Sequence, residues 1–380
     1  MAEIVLTHGN ELEAGTGWMF ADPGTQRFLI AYVDASAALV VATADLMHKR
    51  VLNEADRYVS PDLVAVDDAG GRVIYPVRSK PSDSSDDSKQ VVCVHDVTRR
   101  KNRYHNWITD GYQLLWLFEY LPGKQSVVGH LNLVFEGHIS YDDFKADILV
   151  ASVDRGEHAR YRLPPRLWVA LAVGPDEHHL VYRGNKDLTV VDIQGRAVRS
   201  IEEPRRPHGV SFFRESSQIL IGGAPLKQWD LGSGAVTPLF VEGYEPFWSD
   251  VHQRLWYLCP STALHLREID TGHEEAVVRL LGDWDHSSFN RTAIVPSADH
   301  SLLFVRLGGN RPITDPARLA AERARVGDEL FESCPAYSLE NVEIDLVVDP
   351  ARRQITPLPL KTPWTTKIIT GELARSFKFD

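Results

Sequence analysis

The stretch Leu188–Ile201, LTVVDIQGRAVRSI, decides the fold because it describes a unit that the chain repeats. A run of β-branched and apolar residues ends at Asp192, a polar turn follows, and a second run that favours a strand begins. The same order recurs in Leu226–Leu239 (LKQWDLGSGAVTPL) and in Leu266–Leu280 (LREIDTGHEEAVVRL). An aspartate in such a turn can accept backbone N–H bonds and tolerates unusual backbone geometry.

The spacing of these turns gives the period of the repeat. In the regular middle of the chain the aspartates are 38, 38 and 40 residues apart, which matches the period of about 40 residues of a four-stranded propeller blade. Seven such turns contain Asp45, Asp96, Asp154, Asp192, Asp230, Asp270 and Asp349. Each unit therefore predicts four strands, a to d, with a polar turn between a and b and the aspartate turn between c and d.

This pattern resembles the seven-bladed β-propeller superfold of proteins with WD40-type and YVTN-type repeats. The resemblance covers nearly the whole chain and depends on period and turn chemistry, since only Gln228–Asp230 contains a literal Trp-Asp pair. It implies an all-β seven-bladed propeller of four-stranded antiparallel blades. It implies no particular activity, because propellers include both enzymes and binding proteins.

We expect a single domain of residues 1–380 built from seven blades. Their approximate ranges are 14–56, 57–108, 109–163, 164–203, 204–241, 242–282 and 283–360. The terminal segments Glu3–Thr7 and Trp364–Phe379 are strand-like, so we expect one or both of them to complete the ring. Two separate β-sandwich domains would need a linker near the middle of the chain, and none is visible.

Residues Asn310–Leu330, NRPITDPARLAAERARVGDEL, interrupt the last unit with the pattern of a helix. Asp315 is placed as the N-cap and Pro316 as the first helical residue, and Gly327 lies near the end of an Ala/Arg/Glu-rich run. Strand-forming residues flank this segment on both sides. We therefore expect a helical insertion in blade seven and not an eighth blade.

Composition limits the classes of function. The 380 residues include 41 Lys+Arg against 52 Asp+Glu, a net charge of −11, which argues against nucleic acid or anionic lipid as a partner. Three cysteines without a CxxC pair argue against a disulfide scaffold and a zinc finger. With no signal-peptide pattern and no apolar stretch of about 18 residues, we expect a soluble cytoplasmic protein without a membrane partner.

The longer insertions all fall on one face of the predicted propeller. Its connectivity places the d–a and b–c connections on one face and the a–b and c–d turns on the other. The segments Ser79–Gln90, Gly137–Lys145 and Gly308–Cys334 all lie between strands b and c. Because elaborated loops on a rigid scaffold often carry function, we expect binding or catalysis on this face, which we call the insertion-bearing face.

The d–a loops of three consecutive blades place polar residues on the insertion-bearing face. His208, Glu245 and His286 lie about one blade apart and could converge at the mouth of the central channel. They could hold a divalent metal or supply a general base with an orienting carboxylate; the alternative is ordinary hydrogen bonding at the rim. The same loops contain residues that could bind an anionic substrate: Arg205, Arg206, Tyr244, Asp285 and Asn290.

Two functions follow from these features. The sequence lacks the GxSxG, GxxxxGK[ST] and HExxH motifs, which favours an interaction platform that binds a partner protein or peptide on the insertion-bearing face without a cofactor. The alternative is an enzyme at the channel mouth, such as a metal-dependent lyase or hydrolase of a small anionic substrate. In that case His208, Glu245 and His286 would be metal ligands or bases, and the helix of blade seven would act as a lid.

Overall fold

The computed structural model describes residues 3–5, 11–53, 57–59, 63–79, 90–108, 111–133, 145–203, 205–213, 216–240, 242–259, 263–281, 292–359 and 366–379. Within these ranges the strands form seven sheets, each with four or more strands. None of the helices in these ranges is both long enough and apolar enough to cross a membrane.

The strands of the first half of the chain form blades one to four, apart from three short strands at its start. These three are β1 (Glu3–Val5), β2 (Glu11–Ala14) and β3 (Met19–Phe20). Blade one contains β4 (Leu29–Val33), β5 (Leu39–Thr43) and β6 (Lys49–Val51), and blade two contains β7 (Arg57–Val59), β8 (Ala65–Asp67), β9 (Arg72–Ser79), β10 (Gln90–Asp96) and β11 (Lys101–His105). Blade three contains β12 (Tyr112–Leu121), β13 (Ser126–Leu133), β14 (Ala146–Ser152) and β15 (His158–Arg162), and blade four contains β16 (Val169–Val173), β17 (His179–Arg183), β18 (Asp187–Asp192) and β19 (Ala197–Glu202).

The second half of the chain supplies blades five to seven and one further strand. Blade five contains β20 (Val210–Phe213), β21 (Gln218–Ile221), β22 (Leu226–Asp230) and β23 (Val236–Phe240), and blade six contains β24 (Tyr244–Ser249), β25 (Arg254–Cys259), β26 (Ala263–Arg267) and β27 (Glu274–Leu281). Blade seven contains β28 (Ala293–Pro296), β29 (Leu303–Pro312), β30 (Leu339–Asp349) and β31 (Gln354–Pro357), and β32 (Lys367–Ile369) follows it in the chain.

The innermost strands form a closed ring. In order they are β32, β8, β12, β16, β20, β24 and β28, each in contact with the next, and β28 contacts β32. The prediction of an all-β seven-bladed propeller with four-stranded antiparallel blades is therefore confirmed. The resemblance to the propeller superfold holds for the fold, and no narrower family follows from it.

Burial explains why the strands of one blade differ in composition. In the middle of a blade both faces of a strand pack against neighbouring blades, so β25 is buried from Leu255 to Leu258 and is apolar throughout this run. The outermost strand β19 has no buried residue, and half-buried and exposed residues alternate along it from Val198 to Glu202. The core consequently consists of apolar layers between blades.

The aspartate turns act as the repeat predicts. The Asp230 carboxylate accepts hydrogen bonds from the Ser233 backbone N–H at 2.6 Å and from its hydroxyl at 2.7 Å, which lowers the Asp230 pKa to about 2. Backbone N–H groups of the following turn residues also donate to Asp45, Asp96, Asp192 and Asp349. Asp154 differs, because its carboxylate pairs with Arg72 of blade two.

Both ends of the chain join the sheets, in different ways. The late strand β32 pairs antiparallel with β4 and is the innermost strand of blade one. The early strand β2 pairs with β27 of blade six, and β3 pairs parallel with β31 of blade seven. The range 14–56 thus supplies three strands of blade one, and its first residues join blades six and seven.

One part of the strand-like segment Trp364–Phe379 is helical. After β32, helix α3 (Gly371–Ser376) begins at a glycine with φ of +59° and buries Leu373 against blades one and two. Glu372, Leu373 and Ala374 are good helix formers, and Phe377 continues the same apolar contact. The expectation of strand over the whole of this segment is therefore wrong after Ile369.

The inserted helix of blade seven is confirmed. Strands β29 and β30 pair along their whole length, from Leu303 opposite Val348 to Pro312 opposite Leu339. This pairing continues well beyond the short inner strand β28, so the hairpin extends past the blade. It carries α1 (Pro316–Val326) and α2 (Asp328–Ser333). The Asp315 carboxylate caps α1 by accepting from the Ala317 N–H at 2.9 Å, and Gly327 ends it with φ of +90°.

Candidate functional site

Two d–a connections form one side of the channel mouth on the insertion-bearing face. One precedes β20 of blade five and contains His208, and the other precedes β24 of blade six and leads into Glu245. The Glu245 N–H donates to the His208 carbonyl oxygen at 2.7 Å, and the His208 N–H donates to the Gly222 carbonyl oxygen at 3.0 Å. The backbone thus holds His208 and Glu245 side by side.

Glu245 has an unusual backbone conformation. Its φ of +46° is rare for a residue with a side chain, and it lies where the pairing of β24 with β25 shifts register between Tyr244 and Phe247. Its carboxylate lies against Gly209, where a Cβ would come within 2.8 Å of Glu245 Oε2. Position 209 also has a φ of +83°. Glycine is therefore the only residue type that allows this close approach without strain.

The surroundings of Glu245 change its acidity. Burial in the ring raises the pKa of Glu245 to about 7, and the charge of Arg206 opposes this shift. The side chain is half-buried, and within the described residues no hydrogen bond stabilises its ionised form. A carboxyl that titrates near neutral pH can either take up or release a proton, so Glu245 has the acidity of a general acid or base.

The ring of Tyr244, the residue before Glu245, contacts the ring of His208. The His208 and Tyr244 rings meet edge to face with centroids 4.8 Å apart. Burial and the charge of Arg206 lower the pKa of His208, which favours its neutral imidazole. The Tyr244 hydroxyl donates to Glu242 at 2.6 Å, and burial raises the pKa of Tyr244, so the phenol stays protonated.

Two arginines add positive charge to the same place. Arg205 and Arg206 are exposed in the connection before β20. Arg183, at the end of β17, donates from Nη1 to the Arg205 carbonyl oxygen at 3.4 Å. Burial lowers the pKa of Arg183, and the positive charge of Arg206 lowers it further.

The sequence interpretation missed Arg183, although a signal was present. Arg183 immediately precedes the connection between strands b and c of blade four, and b–c connections share a face with d–a connections. In the structure this connection lies beside the one that contains Arg205 and Arg206.

The other predicted site residues are His286, Asp285 and Asn290, which lie outside the described residues. The structure therefore brings together Arg206, His208, Tyr244 and Glu245, and it leaves the proposed metal set of His208, Glu245 and His286 as a prediction. Among the residues that are described, no three His, Cys, Asp or Glu side chains are grouped so that they could hold a metal ion.

Comparison with known proteins gives little beyond the fold. No family model matches the sequence, and no curated protein matches it. Among solved structures, an acylaminoacyl peptidase in complex with Z-Gly-Gly-Phe-chloromethyl ketone is similar with a TM-score of 0.45 and 10% sequence identity. The match covers 66% of this chain and 43% of that chain, so this chain spans less than half of the peptidase's length. A likeness this distant carries no argument about function, and the fold is established by the seven sheets themselves.

Proposed function

We propose that this propeller is an interaction platform that binds an acidic segment of a partner protein or peptide on its insertion-bearing face. The observation that supports this most directly is the position of Arg183, whose Nη1 donates at 3.4 Å to the Arg205 carbonyl oxygen of the connection that contains Arg206, and on whose pKa the Arg206 charge acts. Two guanidinium groups repel each other, and a carboxylate between them would convert repulsion into attraction. Arginine binds carboxylates with two parallel hydrogen bonds, which makes it well suited to an acidic ligand.

The nearby acidic residues are largely occupied elsewhere. Glu203 and Asp187 oppose the lowering of the Arg183 pKa, but Glu203 forms a salt bridge of 2.6 Å with Lys227. Asp187 accepts a hydrogen bond from the Thr189 hydroxyl. In the described part of the chain, neither Arg183 nor Arg206 has a salt-bridge partner, so both can pair with a carboxylate from outside.

The helical insertion extends the same face. Helix α1 has no buried residue, so its side chains do not contribute to the core of the propeller. Arg323 forms a salt bridge of 2.8 Å with Asp328 and lies 5.5 Å from the centre of the Phe331 ring, which fixes α1 against α2. An ordered helix that adds nothing to the core is well suited to contact a partner.

Fluorescence anisotropy with a defined peptide tests this proposal. The probe is fluorescein-labelled Gly-Gly-Glu-Asp-Glu-Asp, and its comparison is the neutral Gly-Gly-Gln-Asn-Gln-Asn. We expect only the acidic peptide to bind and Arg183→Gln or Arg206→Gln to weaken it about 10-fold or more, as for the loss of a charged hydrogen bond. The control is Arg99→Gln, an exposed arginine in the c–d turn of blade two on the opposite face. Equal binding of both peptides, or an equal loss with Arg99→Gln, would reject the proposal.

A second candidate is an enzyme at the same site. It is favoured by Glu245, whose pKa of about 7 suits proton transfer, with Arg206 holding a small anionic substrate and His208 beside the base. The variant Glu245→Gln separates the two candidates. An enzyme loses turnover of a small carboxylated ester or lactone while it keeps the ligand, whereas a binding platform binds the acidic peptide more tightly because a negative charge has been removed.

A further inference from the structure

The C-terminal segment, residues 367–379, closes the ring with a short strand and a short helix. Strand β32 pairs with β4 over three residue pairs, and α3 buries Leu373, with Phe377 only 7% exposed just after it. Strand β32 also contacts β28 of blade seven and β8 of blade two. Release of this segment would therefore remove the innermost strand of blade one and open the ring between blades seven and two.

The hydroxyl group of Thr370 lies between two carboxylates. Thr370 follows β32 and precedes α3. Its hydroxyl donates to Asp68 Oδ2 at 3.1 Å, and a hydrogen bond from the same side chain also reaches Asp299. Asp68 lies in the a–b turn of blade two, and Asp299 lies in the a–b turn of blade seven. Residues from three consecutive blades thus meet at one hydroxyl group, on the face opposite the insertions.

This hydroxyl cannot satisfy both carboxylates at once, because it has a single proton to donate. When Asp68 and Asp299 are both ionised, one of the two contacts lacks a proton, and the two negative charges repel each other. When one carboxyl group is protonated, it donates to the Thr370 oxygen, and the Thr370 hydroxyl donates to the other carboxylate. The hydrogen bonds at this junction are therefore complete only with one additional proton.

Asp299 has the donors that an ionised carboxylate needs. Its Oδ1 accepts from the Ser297 hydroxyl at 2.7 Å and from the Ser301 N–H and hydroxyl at 3.0 and 2.7 Å. Burial alone would raise the pKa of Asp299, but these hydrogen bonds and the one from Thr370 lower it. Asp299 is also exposed to solvent, so this carboxylate remains ionised.

Asp68 is the carboxyl group that is suited to hold the proton. Its Oδ1 is buried and has no hydrogen-bond partner among the described residues, so little stabilises a negative charge there. Burial raises the pKa of Asp68 to about 6, and the negative charges of Asp299 and Asp67 contribute to this rise. Glu372 and Arg375 of α3 line the same cavity as Asp68, and the pKa of Asp68 is raised although Arg375 is positive.

We propose that the C-terminal segment is a proton-dependent latch, which a proton on Asp68 holds closed and which opens more readily when that proton is lost. The protonated carboxyl donates to the Thr370 oxygen, and the Thr370 hydroxyl donates to Asp299. Without the proton one of these contacts is lost, and the two carboxylates repel each other. Opening of the latch uncovers the apolar side chains of blades one and two against which Leu373 and Phe377 pack.

Opening of the latch should increase with pH. In the open state Asp68 returns to its ordinary pKa of 3.8, whereas in the closed state its pKa is about 6, so the closed state binds the proton more tightly. The closed state is favoured most at low pH, and the opening equilibrium rises until the pH has passed the closed-state pKa. Between pH 5 and pH 8 these pKa values correspond to an increase of about 10-fold in that equilibrium.

Hydrogen–deuterium exchange of the full chain, followed by mass spectrometry at pH 5 and pH 8, tests this proposal. The exchange rate of the peptide that contains β32 and α3 is divided by its intrinsic rate at each pH, which gives the opening equilibrium. We expect this equilibrium to rise about 10-fold in the wild type, while β25 of blade six stays equally protected. Because the wild type itself shows the effect, the test does not depend on the folding of a variant.

Two substitutions identify the group that titrates. In Asp68→Asn the amide donates to Thr370 as a protonated carboxyl does, so the latch should be as protected at pH 8 as the wild type is at pH 5. The matched control is Glu372→Gln, an exposed carboxyl of the same segment, which should keep the wild-type response to pH. An opening equilibrium that does not change with pH in the wild type, an unchanged response in Asp68→Asn, a response lost equally in Glu372→Gln, or a parallel loss of protection in β25 would each overturn the proposal.

Discussion

Replacing Glu245 with glutamine should make the stability of the protein less sensitive to pH. In the folded chain burial raises the Glu245 pKa from its ordinary 4.5 to about 7, so the folded state retains a proton that the unfolded state has already lost. As the pH rises from about 4.5 to about 7, the free energy of unfolding of the wild type therefore decreases relative to that of a variant that cannot titrate at this position. The difference between the two pKa values corresponds to a change of about 3 kcal/mol in the free energy of unfolding.

Urea denaturation at pH values from 4 to 9 measures this effect. We expect Glu245→Gln to gain about 2 to 3 kcal/mol over the wild type between pH 4 and pH 8, and to gain nothing more above pH 8. The contributions of the other titrating groups cancel in this difference, because the wild type and Glu245→Gln share those groups. Glu202→Gln, at an exposed position on β19, is the control and should show no such gain. A difference between wild type and Glu245→Gln that is the same at every pH would refute the reasoning.

Two further substitutions test the packing that positions the mouth and the last blade. Gly209→Ala should destabilise the protein by about 1 to 3 kcal/mol in urea, because the new methyl group meets the Glu245 side chain at a positive φ; an unchanged midpoint would contradict this geometry. Arg306→Met leaves the Asp345 carboxylate without its two hydrogen bonds of 2.6 and 2.7 Å in a site where both side chains are 3% exposed. We expect a loss of about 3 to 5 kcal/mol, and Asp345→Asn in the same background should recover part of it.

The features that could be predicted from the sequence are those determined by residues close together in the chain. An aspartate turn is a local structure, since the Asp230 carboxylate bonds to residues only three positions away. The cap and the end of helix α1 are local as well, and Asp315, Pro316 and Gly327 take the roles that the sequence assigns to them. Because seven such turns recur, local chemistry was sufficient to predict the number of blades.

The features that could not be predicted depend on residues far apart in the chain. Strand β32 pairs with β4 more than 300 residues away, and nothing in its composition distinguishes blade one from the alternatives. Arg183 joins the channel mouth only because a b–c connection lies beside a d–a connection of the next blade. Trp256 is buried in the core, and the lack of a hydrogen-bond partner for its indole N–H among the described residues becomes visible only when its neighbours are known.

The overall charge restricts what kind of acidic partner the channel mouth could accept. A net charge of −11 repels an acidic protein surface, and at physiological ionic strength this repulsion acts over a Debye length of about 8 Å. Arg183 and Arg206 offset it only at the mouth, where the charge of Arg206 acts on Arg183. A broad acidic surface would therefore lose more binding free energy through repulsion at the rim than it gains from the two arginines at the centre. We infer that a partner has to present its carboxylates on a narrow extended segment, such as a loop or a chain terminus, that enters the mouth.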